Sequence, residues 1–112
     1  MNSISGRRKE ATAVATLKKG TGDFVVNKKK LEEYFGRDVA KMIVKQPLVL
    51  TNTLNSFDIN IRVNGGGAFG QAGAIRLAIS KALVLENPDF RAELKKAGYL
   101  TRDSRVKERK KV

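Results

Sequence analysis

The stretch that decides the fold runs Phe57-Asp58-Ile59-Asn60-Ile61-Arg62-Val63-Asn64, then Gly65-Gly66-Gly67-Ala68-Phe69-Gly70-Gln71-Ala72-Gly73, and on to Glu86. Its first eight residues alternate apolar and polar without a break, the period of a strand with one face in a core and the other in water. The glycines turn the chain. Beyond them Ala72, Ile75, Ile79, Ala82, Leu83 and Glu86 fall near one face at helical spacing, with Arg76 and Lys81 off it. A half-buried strand followed by a helix that packs back on it through small residues implies a sheet backed by helices.

Upstream, Ala11, Ala13, Ala15 and Leu17 alternate with Thr12, Val14 and Thr16, which predicts a strand. Lys18-Lys19-Gly20-Thr21-Gly22 reads as a flexible turn into Phe24-Val25-Val26, so the two segments are expected to form a hairpin. Asn27 is expected to cap a helix opened by Lys28-Lys29-Lys30, carrying Leu31, Tyr34 and Phe35 on one face and stopped by a left-handed Gly36. A second helix is expected over Asp38 to Val44, closed by Pro47, with Leu48-Val49-Leu50 starting a buried strand and Leu54-Asn55-Ser56 turning the chain. Downstream, Asn87-Pro88-Asp89 is a strong helix restart, Phe90 and Leu94 share a face, and Gly98 ends the helix.

Charge sets the function class. The 112 residues carry 23 Lys and Arg against 11 Asp and Glu, a net charge of +12. Residues 1–30 hold eight basic and two acidic side chains and residues 101–112 hold six and two, so +10 of the total lies at the ends. A polyanion that neutralises both ends at once is a nucleic acid. Arginine forks grip phosphates bidentately and lysines act as point charges, so Arg7, Arg8, Lys9, Lys18, Lys19, Arg102, Arg105, Lys107, Arg109, Lys110 and Lys111 are the candidate contacts. Residues 1–100 read as one globular domain and 101–112 as an extended basic tail that orders on a partner. Aromatic residues are few and sit in apolar patterns, which argues against base-stacking platforms.

The composition also excludes. With neither cysteine nor histidine, thiolate nucleophiles, disulfides, the usual proton shuttle and the commonest metal ligands are all missing. No enzyme site, cofactor or small-molecule substrate is expected; Asp58, on the wet face of its strand, has no visible catalytic partner. No apolar run approaches a bilayer span and Met1 to Gly6 lacks the apolar stretch of a secretory signal, so a protein without a membrane partner is expected. Gly65-x-Gly67-x-x-Gly70 between a strand and a helix resembles a dinucleotide fingerprint, but no acid ends a following strand; a P-loop fails because Gln71-Ala72 follows Gly70. The glycines retain a second use. Backbone N–H groups at Gly65, Gly66 and Gly67, with a helix start behind them, suit an RNA phosphate, and Gln71 either reads a sugar or base edge or caps the helix. Gly70 and Gly73 are expected to serve close helix-to-sheet contact.

Gly6-Arg7-Arg8-Lys9, Leu31-Glu32-Glu33-Tyr34-Phe35-Gly36, Lys45-Gln46-Pro47-Leu48, the Gly65-Gly66-Gly67 run into Gly70-Gln71-Ala72-Gly73-Ala74-Ile75-Arg76, and Leu94 through Arg105 to Glu108-Arg109-Lys110-Lys111 occur in this order. Together they closely resemble the family of small-subunit ribosomal protein nine, in its bacterial or organellar form, over nearly the whole chain. The resemblance implies a single α+β domain of about four strands backed by helices, with a left-handed βαβ crossover like that in the second domain of ribosomal protein five. It also implies a structural, non-enzymatic role in the ribosome, cytoplasmic or in an organellar stroma or matrix. The partners implied are small-subunit rRNA in the 3′ major domain of the head and neighbouring head proteins; the RNA-facing positions are Arg7, Arg8, Lys9, Gly65 to Gly67, Gln71, Arg76 and the tail. Family members usually continue past the segment ending at Val112 with a basic extension toward P-site tRNA, so no residue here is assigned that contact. Leu77-Ala78 stands where many members have His-Gly. The other reading of the charge, a stand-alone RNA-binding subunit of another ribonucleoprotein, lacks the arginine-rich helix expected of it.

Overall fold

In the computed structural model, which describes residues 3–8 and 10–100, strands β1 (Ser3–Arg8), β2 (Ala11–Lys19), β3 (Phe24–Val26) and β4 (Lys29–Lys30) are followed by helices α1 (Leu31–Tyr34) and α2 (Asp38–Leu50), strand β5 (Phe57–Asn64), and helices α3 (Ala68–Glu86) and α4 (Phe90–Lys96). The strands form one mixed sheet in the order β1-β2-β5-β3-β4. The α+β class and the single domain are as expected. The sheet has five strands where about four were expected, and β1 and β4 are the two that residue patterns did not mark.

β5 sits in the middle of the sheet. Phe57, Ile59, Ile61 and Val63 are buried, and the strand pairs antiparallel with β2 and parallel with β3. That insertion overturns the expected β2–β3 hairpin: the two strands are not neighbours. The chain from β3 returns to the parallel strand β5 through α1 and α2, as a crossover requires.

The short hairpin of this region lies one strand later. Asn27 and Lys28 have φ of 50° and 70°, the pair of left-handed residues that a two-residue primed turn demands, and Val26 pairs with Lys29 across it. Lys28-Lys29-Lys30 therefore form a turn and an edge strand, and do not open a helix. Asn27 caps nothing: its side chain donates to the Val63 carbonyl and accepts from the Val63 N–H, both at 2.9 Å, so it extends the β3–β5 ladder by one residue. Gly36 is likewise not the expected left-handed stop. Phe35 already leaves α1 in extended backbone.

α2 runs on through Pro47 to Leu50, so the strand expected at Leu48-Val49-Leu50 is a helix. Pro47, Leu48 and Val44 are fully buried, and burying such side chains, roughly 1.5–3 kcal/mol each, outweighs the one helical hydrogen bond that proline lacks. Thr51 then closes the helix, its N–H and hydroxyl both donating to the Pro47 carbonyl at 3.1 and 2.9 Å.

α3 lies across β1, β2 and β5. Alanines 11, 13 and 15 of β2 face alanines 72, 74, 78 and 82 of the helix in a buried layer of small side chains, which lets the two backbones approach. A close contact is made at Gly6 of β1, where an added Cβ would stand 2.7 Å from the Ala74 carbonyl oxygen and the Ala78 nitrogen. By length and composition alone α3 could cross a membrane, contrary to the reading that no segment comes near a span. It serves as the core helix, with Ile75, Ile79 and Leu83 fully buried.

Candidate nucleic-acid interface

The topology gathers two of the three sequence motifs. The β1–β2 connection follows Arg7 and Arg8, and the register Arg8↔Ala11 and Thr12↔Asn64 puts it beside the loop that leaves β5. Gly65 and Gly66, with φ of 79° and 62°, pack directly on Glu10 and Ala11. A side chain at Gly65 would run into the Glu10 carbonyl, so both the left-handed backbone and the close approach demand glycine there. Arg7 is exposed on the strand; Arg8 ends it; Lys9 lies outside the described residues.

Gly67 leads into α3 in extended backbone, no side chain caps the helix, and its first turn holds no acid. The first helical bond is from the Gln71 N–H to the Gly67 carbonyl at 2.8 Å. The N–H groups ahead of it and the positive end of a 19-residue helix therefore face outward. A cleft of about 380 Å3 opens there between Gly66, Gly67 and Ala68 on one side and Phe35, Gly36 and Arg37 on the other. Arg37, the exposed N-cap residue of α2, is a cation at this site that sequence reasoning missed; only the tertiary fold brings it within reach of the glycine loop.

Gln71 is used internally. Its Oε1 accepts from the Tyr34 hydroxyl at 2.8 Å and its Nε2 donates to the Gly65 carbonyl at 3.1 Å, while Asn27 Nδ2 donates to the Tyr34 oxygen at 3.3 Å. The amide thus ties the glycine loop to α1 and to the β3–β4 turn. Arg76 is also engaged: it donates to Gln46 Oε1 at 2.7 Å and lies 4.9 Å over the Tyr99 ring. Tyr99 is brought there by Gly98, whose φ of 85° lets the Gly98 and Tyr99 N–H groups bond back to Lys95 and Leu94 at 3.0 Å each. Arg76 fastens the last described turn of the chain to the helical layer. Arg102, Arg105, Lys107, Arg109, Lys110 and Lys111 lie outside the described residues.

Lys18 and Lys19 are elsewhere. They close β2 at its far end, roughly 25 Å from the glycine loop at about 3.3 Å per residue. The turn after them is tied to β5 by hydrogen bonds. One oxygen of Asp58 accepts the backbone N–H groups of Thr21, Gly22 and Asp23 at 3.0 to 3.2 Å, and these bonds, chiefly those from Asp23 and Thr21, hold its carboxyl below the ordinary aspartate value.

Residues 6–112 match the family described as ribosomal protein S9/S16. The chain belongs to that family. It is 57% identical over 107 residues to small ribosomal subunit protein uS9 of Syntrophobacter fumaroxidans (strain DSM 10017 / MPOB), covering 96% of this chain and 82% of that one. As an S9/S16 family member the protein is a structural constituent of the small ribosomal subunit and not an enzyme, and its place is the ribosome, cytoplasmic in bacteria.

Proposed function

We propose that the protein binds small-subunit rRNA in the head, within the 3′ major domain, beside neighbouring head proteins, and supports assembly and translation near the P site. One observation carries this reading: the end of the arginine-bearing β1 strand and the uncapped start of α3 flank the same left-handed glycine loop. Outward N–H groups, a helix dipole and neighbouring cations form a phosphate-binding surface for an RNA backbone. Arg7, Arg8, Lys9, Gly65, Gly66 and Gly67 make the contact, with Arg37 on the rim. Lys18 and Lys19 form a separate point of attraction, and the six basic residues of 101–112 add non-specific affinity. Gln71 and Arg76 act from behind, by holding the loop and the root of the tail.

The test is binding to a transcribed 3′ domain of small-subunit rRNA across a salt titration. Affinity falls steeply with salt, and each lost phosphate contact flattens the log–log dependence by somewhat less than about one unit. Alanine at all six basic positions of 101–112 weakens binding while the domain stays folded. Gly66→Val, which places a side chain on a left-handed backbone, reduces protection of the RNA; unaltered protection would remove the loop from the interface.

A further inference from the structure

The helices cover one face of the sheet only. On the other, cross-strand rows read Arg7, Thr12, Asn64; then Ser5, Val14, Arg62; then Thr16, Asn60, Val25, Lys30. Asn60, Arg62 and Asn64 are exposed, while their alternates Ile59, Ile61 and Val63 lie under the helices.

The chemistry of this face selects its occupant. Its two acids lie at one end, Asp58 opposite Lys18 and held by three backbone N–H groups, and Asp23 against Lys30 at 3.6 Å. No acid among the described residues pairs with Arg7 or Arg62, so the charge at their end of the face is cationic. Between those arginines stand amides and hydroxyls, and the aliphatic side chains there among the described residues, Val14 and Val25, are small and half-buried. A protein partner would be met by an apolar centre. None of the exposed large apolar side chains of the described residues lies on this face: they are on α2, at Leu54 behind it and on α3. The chain's own segment 101–112, with six basic and two acidic side chains, carries the same sign of charge as the arginines of this face and does not complement it.

We propose that the open sheet face is a second RNA-contact surface, taking the backbone and 2′-hydroxyl edge of an rRNA duplex. The proposal rests on the rRNA-binding reading above. Arg62 neutralises phosphates along this face, with Arg7 at the border it shares with the glycine loop, and Asn60, Asn64 and Thr12 offer donors and acceptors at the spacing of a strand, suited to the wide minor groove of A-form RNA, where shape and 2′-hydroxyls are read. RNA on this face and at the glycine loop makes the domain a spacer between rRNA segments.

Because the chain has no cysteine, single cysteines give unambiguous probes. Asn60→Cys and Ala68→Cys, each carrying a short aryl azide, are assembled with rRNA and the other small-subunit proteins and photolysed. Cross-linking to rRNA from both positions is expected. Arg62→Ala should lower the slope of log affinity against log salt by about one unit, and Asn60→Leu should weaken rRNA binding about two- to tenfold, with melting temperature unchanged in both. Cross-linking to rRNA from position 68 and to a protein, or to nothing, from position 60 overturns the proposal and leaves the loop reading standing. No rRNA cross-link from either position overturns both.

Discussion

The Tyr34 hydroxyl donates to Gln71 Oε1 at 2.8 Å, and Gln71 Nε2 donates in turn to the Gly65 carbonyl at 3.1 Å, so the first turn after the β3–β4 hairpin is linked to the glycine loop across the cleft. Oxygen and amide are both half-buried, so the bond is shielded from competing water. Tyr34→Phe removes it, together with the 3.3 Å bond from Asn27 Nδ2, and leaves the ring contact with Phe35 intact. The expected cost is about 0.5–1.5 kcal/mol in chemical denaturation, with faster hydrogen exchange at Gly65 to Gly67 and unchanged exchange in β2. Exchange rates in the loop equal to those of the wild type would show that Gln71 does not depend on Tyr34.

Gly6 tests the packing of β1 on α3. A methyl group there meets backbone atoms of Ala74 and Ala78, which cannot turn aside as a flexible side chain would. Gly6→Ala should therefore destabilise by about 1–3 kcal/mol, read as a lower midpoint of thermal unfolding. A midpoint equal to the wild type would mean that strand and helix separate at no cost.

Asp58 makes the β2–β3 turn sensitive to acid. Its folded-state carboxyl ionises below the ordinary value of 3.8, so its contribution is fully present above that value and is lost as pH falls through the lower folded one. Asp58→Asn should lower stability at pH 7 and flatten its decline below about pH 4, in denaturation curves compared at several pH values. A variant whose stability falls with acid as steeply as the wild type would exclude Asp58 as a source of that dependence.

Arg76→Ala removes a charged hydrogen bond to Gln46 and the cation over Tyr99. The expected loss is about 1–3 kcal/mol, and cleavage after Tyr99 by chymotrypsin should accelerate more than cleavage elsewhere. Equal acceleration throughout the chain would show that Arg76 stabilises the domain as a whole and does not hold its last turn.

The alternation over Phe57 to Asn64, the alternation over Ala11 to Leu17, the helix behind the glycines and the Gly98 stop were all legible in the amino-acid order, because each is a periodic or local conformational preference carried by residues close in the chain. So was the excess of positive charge. The misread elements share a cause. The hairpin of β2 with β3, the helix cap at Asn27 and the strand at Leu48 were each sound local inferences, overruled by partners more than thirty residues away or, for Leu48, by burial within α2. The site divides in the same way. Glycines and arginines name their chemistry wherever they stand, whereas the meeting of Arg37 with the loop, the diversion of Gln71 and Arg76 to inward bonds and the separation of Lys18 and Lys19 exist only once β5 has taken its place between β2 and β3. Residue type and period determined what this protein can bind. Which of those residues meet was decided by long-range pairing, since a chain of limited core commits its strongest strand to the centre and the rest arrange around it.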